Sequence, residues 1–238
     1  MGRMTARTPR SERRTEALSR ERIVEAAVEV LDAAGEAGLT FKVLTERLAT
    51  GPGAIYWHVA NKGELLDAAT DGVIAAALDI EPAGSPQDKV HAVALGLFYA
   101  IEHHPWLATQ LSTQLSRSAG GSVAPRIFEA IGRQVRAVGV PEAGWFAATS
   151  VLVHYILGHA GQNAANAVHA QSFGPGMDRS TFLDAAAKAW EDLDPEDYPF
   201  IRAVAGQMRE HDDREQFLAG VDLILAGISA VHLPPGRD

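Results

Sequence analysis

The chain has 238 residues, 47% of them hydrophobic, with no cysteine and a formal net charge of −9. That length allows one large or two modest domains with a real apolar core, and the missing cysteines exclude disulfides, thiolate nucleophiles and thiolate metal sites. No apolar run reaches the roughly 20 residues of a spanning helix and the N-terminus lacks a signal peptide's apolar stretch, so a cytoplasmic protein with no membrane partner is expected.

The charge is unevenly placed. Residues 1–70 balance ten Lys/Arg against ten Asp/Glu, and the whole excess lies in 71–238. Residues 1–22 set seven arginines against three glutamates. This reads either as a solvated leader or as a phosphate-binding arm, and residues 1–18 are assigned to it.

Helical signals begin at Ser19, an N-cap before Ile23, Ala26, Ala27, Val30, Leu31 and Ala34 at spacings of three and four. This helix ends near Gly35 or Gly38. A second carries Phe41, Leu44 and Leu48 on one face, starts at Thr40 and breaks at Ala49, Thr50 and Gly51. Pro52 fits a first helical turn. Thr50 is therefore expected to cap a third short helix, about 51–59, with Ile55 and Val59 facing inward. Asn61 with Glu64 forms a capping-box signature that opens a fourth helix through Leu65, Leu66, Ala69, Val73 and Ile80. EPAGSP, 81–86, ends it, and the boundary between a domain at 19–82 and one at 83–238 is placed there.

Beyond it the chain stays helical, and no convincing strand period occurs anywhere. Ser85, Pro86 and Asp88 open a stripe of Val90, Val93, Leu97 and Ile101; Pro105 opens another with Trp106, Leu107 and Leu111. Ile127, Ile131, Val135 and Val138 mark a helix stopped by Gly139 and Pro141. A long helix, about 142–170, and a final one, about 213–231, follow, with two short ones between. SRSAGGS, 116–122, and QSFGPGM, 171–177, read as loops able to gate a pocket. The fold class is all-α.

Three short helices, the last two separated by a tight turn, are the parts of a helix-turn-helix. At the front of the third, Thr50, Gly51, Pro52, Gly53 and Ala54 are small enough for the backbone to approach base edges. Tyr56 and His58 can donate to phosphate or bases, and Trp57 offers apolar contact. Alternatively Tyr56 and Trp57 pack the junction with the fourth helix. Lys62 sits in a first helical turn, where a cation opposes the helix dipole, and is read as a phosphate clamp.

The order RERIVEAAVEVLDAAGEAGLTFKVLTERLATGPGAIYWHVANKGELLDA, about residues 20–70, resembles the DNA-binding domain of the TetR family of ligand-responsive bacterial transcriptional regulators. YWHV and NK are similar to its tetracycline-repressor-like branch. The resemblance implies that Thr40, Lys42, Pro52, Gly53, Ala54, Tyr56, Trp57, His58 and Lys62 lie at or near double-stranded operator DNA. Two features depart from the family: the turn is Ala49-Thr50-Gly51 instead of Gly-Val, and the recognition helix has no Arg, Asn or Gln for bidentate base reading. Discrimination then leans on DNA shape or on the arginine arm.

HHPWLA, 103–108, and FLAGVDLILAGI, 217–228, look like segments of tetracycline-repressor-type C-terminal domains. The family architecture implies that the long and last helices pair with their copies in a homodimer. Gly158, Ala160, Gly161, Ala164 and Ala165, with Ala219, Gly220, Ala226 and Gly227, permit close backbone approach, between subunits or within one. A pocket for an apolar or amphipathic small-molecule effector is expected among Phe98, Glu102, Trp106, Gln110, Phe128, Ile131, Phe146, Ser150 and His154, although each also reads as core. No histidine spacing suits a metal, and His103 or His104 reads as a helix C-cap; neither metal nor cofactor is expected.

Two rivals remain. A helical-bundle enzyme lacks any nucleophile-elbow, phosphate-loop or SxxK motif, so no enzymatic activity is expected. A nonspecific architectural DNA binder would show a steep salt slope with little sequence preference.

Overall fold

The structure, a computed structural model, describes residues 18–80, 82–117, 121–171 and 179–232. The basic arm before residue 18 and the glycine-bearing parts of both loops, 118–120 and 172–178, lie outside them. The described residues form eleven helices and no strand.

Four short-range caps start the N-terminal helices. In α1 (Arg20–Gly38) the Ser19 side chain accepts from the Arg22 amide at 3.3 Å. Ile23, Ala26, Ala27, Val30 and Leu31 form its buried stripe. The helix kinks at Gly35, whose φ 62 and ψ −171 suit glycine alone, so the turn bearing Glu36 leaves the helix axis. In α2 (Phe41–Arg47) Thr40 accepts from the Val43 amide at 3.2 Å.

The third helix departs from expectation. It is shorter, α3 (Pro52–Tyr56), its N-cap is Gly51, and no side chain caps it. Thr50 instead finishes α2. Its amide reaches the Thr45 carbonyl at 3.1 Å, the Ala49 amide reaches Glu46 at 3.4 Å, and Ala49 is left-handed at φ 49. These two bonds make a Schellman ending that needs positive φ where a glycine would be cheapest.

In α4 (Lys62–Leu78) Asn61 accepts from the Glu64 amide at 2.9 Å. The Glu64 carboxylate accepts from Ala60 at 2.8 Å, one residue before the position a reciprocal box would use. The box is complete at α5 (Pro86–His103), between Ser85 and Asp88. Its two bonds, the Ser85 hydroxyl first, hold the Asp88 carboxyl below the usual aspartate range. His104 is the α5 C-cap, as expected of that pair.

The remaining helices are α6 (Trp106–Arg117), α7 (Val123–Val138), α8 (Glu142–Gln171), α9 (Arg179–Glu191), α10 (Pro199–Arg209) and α11 (Asp213–His232). Gly139, at φ 100, ends α7. Leu97 and Ile101 of α5, Ile127 and Ile131 of α7, Leu152 and Ile156 of α8, and Phe217 and Val221 of α11 are buried in one core. Helix α4 meets it at a glycine: a Cβ on Gly96 would lie 2.5 Å from the Ala77 carbonyl oxygen, so the two backbones touch. α9 and α10 pack chiefly on each other.

By length and a mean hydropathy of 1.2, α11 is apolar enough to cross a membrane, which corrects the expectation that no segment reaches that size. Yet its Phe217, Val221, Leu225 and Ile228 are buried in the chain's own core, and its Asp222 takes a 2.7 Å bond with His91 Nε2. Leu223 stays 75% exposed and Val231 77%. The small residues divide between the two packing roles. A Cβ on Gly220 would overlap the Tyr155 hydroxyl, which donates to the Phe217 carbonyl at 3.0 Å, and Ala160 and Ala164 are buried within the subunit. Gly158 and Gly227 face open space. Burial pushes the Tyr155 phenol up.

Candidate nucleic-acid interface and effector region

Helix α3 is held by its inner side and bare on its outer one. Ile55 and Val59 are fully buried, one turn apart as their spacing requires. Residues 51–54 are all exposed, and a Cβ added at Gly51 or Gly53 would meet nothing within 4 Å. Trp57 is 88% exposed and Tyr56 53%, so neither fills the junction with α4. Tyr56 stacks on Phe41 of α2 at 4.5 Å and 10° between ring planes. Phe41 is partly buried against the core, as the periodicity of α2 requires, and is also the platform that sets Tyr56, which periodicity does not reveal. His58 is half-buried.

The cations near α3 differ. Lys42 extends outward, with only a 4.0 Å approach to Glu46. The Thr40 oxygen is occupied as the α2 cap. Lys62 Nζ donates to the Glu36 carbonyl at 2.6 Å, at the C-terminal end of α1. The oddity that pointed to a phosphate therefore has an answer inside the chain, because a cation at a helix C-terminus is favourably placed.

Between the DNA-binding helices and the rest of the chain, five donors grip carboxylates of α1 and α4. His104 Nδ1 lies 2.7 Å from Asp32 Oδ1, and Trp106 Nε1 donates to the same oxygen at 2.8 Å. Gln110 Nε2 donates to Glu36 at 2.9 Å, Gln114 Nε2 to Asp67 at 3.0 Å, and the Ser122 hydroxyl to Asp71 at 2.7 Å. Three of the five stand on α6. Charge-assisted bonds of this kind are the stronger class of hydrogen bond.

The nine residues expected to line a pocket do not converge. Phe98 and Ile131 are core side chains, with Phe98 packed on Phe217 at 4.8 Å. Trp106 and Gln110, buried as a pocket reading requires, spend their polar atoms on α1. Phe128 is half-buried against Phe146 at 6.3 Å, and Phe146 itself is 77% exposed. Glu102 and His154 are exposed. Ser150 keeps a buried hydroxyl without a partner. Among the described residues no three His, Cys, Asp or Glu side chains converge as a metal site.

A different groove is present, about 740 Å³ between α6 and α8. Thr109, Ser112, Thr113 and Ser116 form one wall, and Gly158, Gly161 and Ala165 the other. Ser112, Thr113 and Ser116 donate back to carbonyls one turn earlier at 2.8–2.9 Å, which leaves their oxygens as acceptors. The spacing of these hydroxyls is legible in TQLSTQLS, but only the facing glycines make it a groove. A second groove, about 350 Å³, runs between α8 and α11 past Val151, Ile224, Gly227 and Val231.

A helix-turn-helix with an exposed second helix, mounted on a larger helical domain, defines a DNA-binding regulator. Residues 23–69 match the description "Bacterial regulatory proteins, tetR family", and 80–232 match "Tetracyclin repressor-like, C-terminal domain". A transcriptional regulator of the TetR type from Streptomyces coelicolor has a solved structure of the same shape, with TM-score 0.83. It is 66% identical, over 91% of this chain and 100% of that one. An HTH-type transcriptional regulator of Saccharopolyspora erythraea is 30% identical over 228 residues, 93% of this chain and 89% of its own length. The solved Mycobacterium smegmatis BioQ, crystallised also with its double-stranded DNA operator, is similar at 26% identity and TM-score 0.60 in that complex, over 90% and 99% of the two chains. The chain belongs to the TetR family of bacterial transcriptional regulators.

Proposed function

We propose that this protein is a repressor that binds an operator as a homodimer and leaves it when a small apolar or amphipathic molecule enters between α6 and α8. The observation that carries the reading is that α6 faces both ways. Its hydroxyls wall the groove against α8, while Trp106, Gln110 and Gln114 hold Asp32, Glu36 and Asp67 of the DNA-binding helices. A molecule that displaces α6 must then strain or release the joint with α1 and α4. It shifts the protein off DNA only if it binds that displaced state better than the DNA-bound one.

In this reading Thr40, Lys42, Thr50, Pro52, Gly53, Ala54, Tyr56, Trp57 and His58 face the DNA, with Lys62 bracing α4 against α1 beside it. Dimerisation through α8 and α11 sets the two copies of α3 at half-sites about 34–36 Å apart. The exposed Val151, Leu223 and Val231, and open space at Gly227, support that face.

The test is selection of duplexes from a random-sequence pool at about 150 mM salt, where nonspecific binding is weak. A twofold-symmetric sequence should be enriched and bound at least about 10³-fold more tightly than random duplex. Binding without any enriched sequence, falling steeply with salt, would return the protein to the architectural class.

A further inference from the structure

The outer face of α3 has no side chain suited to a bidentate bond with a base, yet it is built to come close to something. Gly53 and Ala54 stand four and three residues before Trp57, so each neighbours it along the outer side of the helix. Trp57 is the largest exposed ring in the segment and touches no other aromatic ring among the described residues. Gly53 lies inside a helix at ordinary negative φ with nothing within 4 Å of a built Cβ. Neither backbone conformation nor packing within the chain asks for glycine there, and glycine weakens a helix. A partner outside the chain that needs the backbone near accounts for it.

The prominent apolar group that bases present in a major groove is the thymine 5-methyl; the other features that distinguish base pairs there are hydrogen-bond donors and acceptors. Tyr56 is stacked on Phe41 and His58 is half-buried, and the freely exposed side chains that remain on the outer face, Ala54 and Trp57, are chiefly apolar. We propose that this protein reads its operator chiefly through thymine methyl groups, with Ala54 and Trp57 as the specificity-determining side chains and Gly53 as the bare patch that lets them reach. The proposal rests on the operator-binding reading and names the chemistry of the bases that reading requires.

The duplex enriched by selection is resynthesised with deoxyuridine at one thymine position at a time, in both half-sites together, which deletes the methyl and keeps the base pair. At one or more positions the loss should be about fourfold per methyl, about fifteenfold for the symmetric pair. In Ala54→Gly and Trp57→Ala that loss should shrink to less than about twofold against the same duplexes, because the contact is already gone. Gly53→Ala should raise the urea midpoint and weaken binding, opposite signs that a purely structural glycine would not produce. If every deoxyuridine duplex binds within about twofold of the parent, methyl reading is overturned. If the losses persist unchanged in both variants, another element reads the methyl and the assignment to α3 is wrong. If selection enriches no sequence, the operator reading fails first and this one with it.

Discussion

Lys62 puts an ammonium at the end of α4 where a helix favours negative charge, and recovers the loss at the far end of α1, where the Glu36 carbonyl accepts it. Its charge can act on DNA as well, but the internal bond makes a separable prediction. Lys62→Met should lower stability to urea by about 1 kcal/mol as well as weaken operator binding; weaker binding with an unshifted midpoint would restore the phosphate-clamp reading. Ala49 carries the opposite kind of cost. It occupies the left-handed position of the Schellman ending at φ 49, where an L-residue with a Cβ gives up roughly 1–2 kcal/mol. Part of that returns as unfolded-state entropy when glycine is introduced. Ala49→Gly should therefore gain about 0.5–1 kcal/mol in urea unfolding, with the α2–α3 turn unchanged. A loss of stability would mean the turn relies on the Ala49 methyl for packing. Trp57, by contrast, should be nearly neutral for folding, since it buries almost nothing.

Among the elements, local chemistry and long-range chemistry separate cleanly. The caps at Ser19, Thr40, Asn61 and Ser85 are legible in the sequence because donor and acceptor are three residues apart, and a side chain's reach settles the outcome. So are the buried stripes of α1, α5 and α7, which repeat at helical spacing. The assignment of Thr50 fails for a related reason: a threonine between two short helices can end one or cap the next, and the Ala49 backbone decides. Trp106 and Gln110 are legible as buried but not as bound to Asp32 and Glu36, each 74 residues away. A buried indole or amide looks the same in sequence whether a ligand or a carboxylate satisfies it. The structure makes the difference testable. Trp106→Phe keeps the ring and removes one donor from Asp32, and should cost about 1–2 kcal/mol on urea unfolding; no loss would mean the 2.8 Å contact contributes nothing. The capping box of α5 offers a pH test. Asp88 is held below its ordinary pKa by Ser85, so its stabilisation is present above the unfolded carboxyl value and disappears as pH falls through the lower folded one. Carboxyl titration by NMR should show Asp88 below the usual aspartate range, and Ser85→Ala should move it upward. An unmoved titration would remove the box as the cause.

At the scale of the molecule, the DNA-binding helices are small and the core that carries them is large, and the apolar surface of that core is not finished. Val151, Leu223 and Val231 are half or more exposed along α8 and α11, beside a groove with open space at Gly227, and single exposed apolar residues are ordinary whereas such a run is not. A second copy covering this face also answers a requirement of the other end. One α3 of five residues offers too few contacts to hold an operator alone, and two joined through a rigid interface bind as one bivalent unit. Leu223→Asp tests both halves together, because Leu223 lies outside the subunit's own core and its loss should leave each chain folded. Sedimentation should show the variant as a monomer with unchanged helicity. Affinity for the selected symmetric duplex should fall by roughly 10²–10⁴-fold, the range over which linked sites exceed single ones. Binding to a duplex carrying one half-site should stay as it was. A variant that remains dimeric would move the interface elsewhere, with α9 and α10 the next surface to examine, since they pack chiefly on each other and leave Phe200 72% exposed. A monomer that keeps full affinity would break the link between the α8–α11 face and the spacing of the two recognition helices.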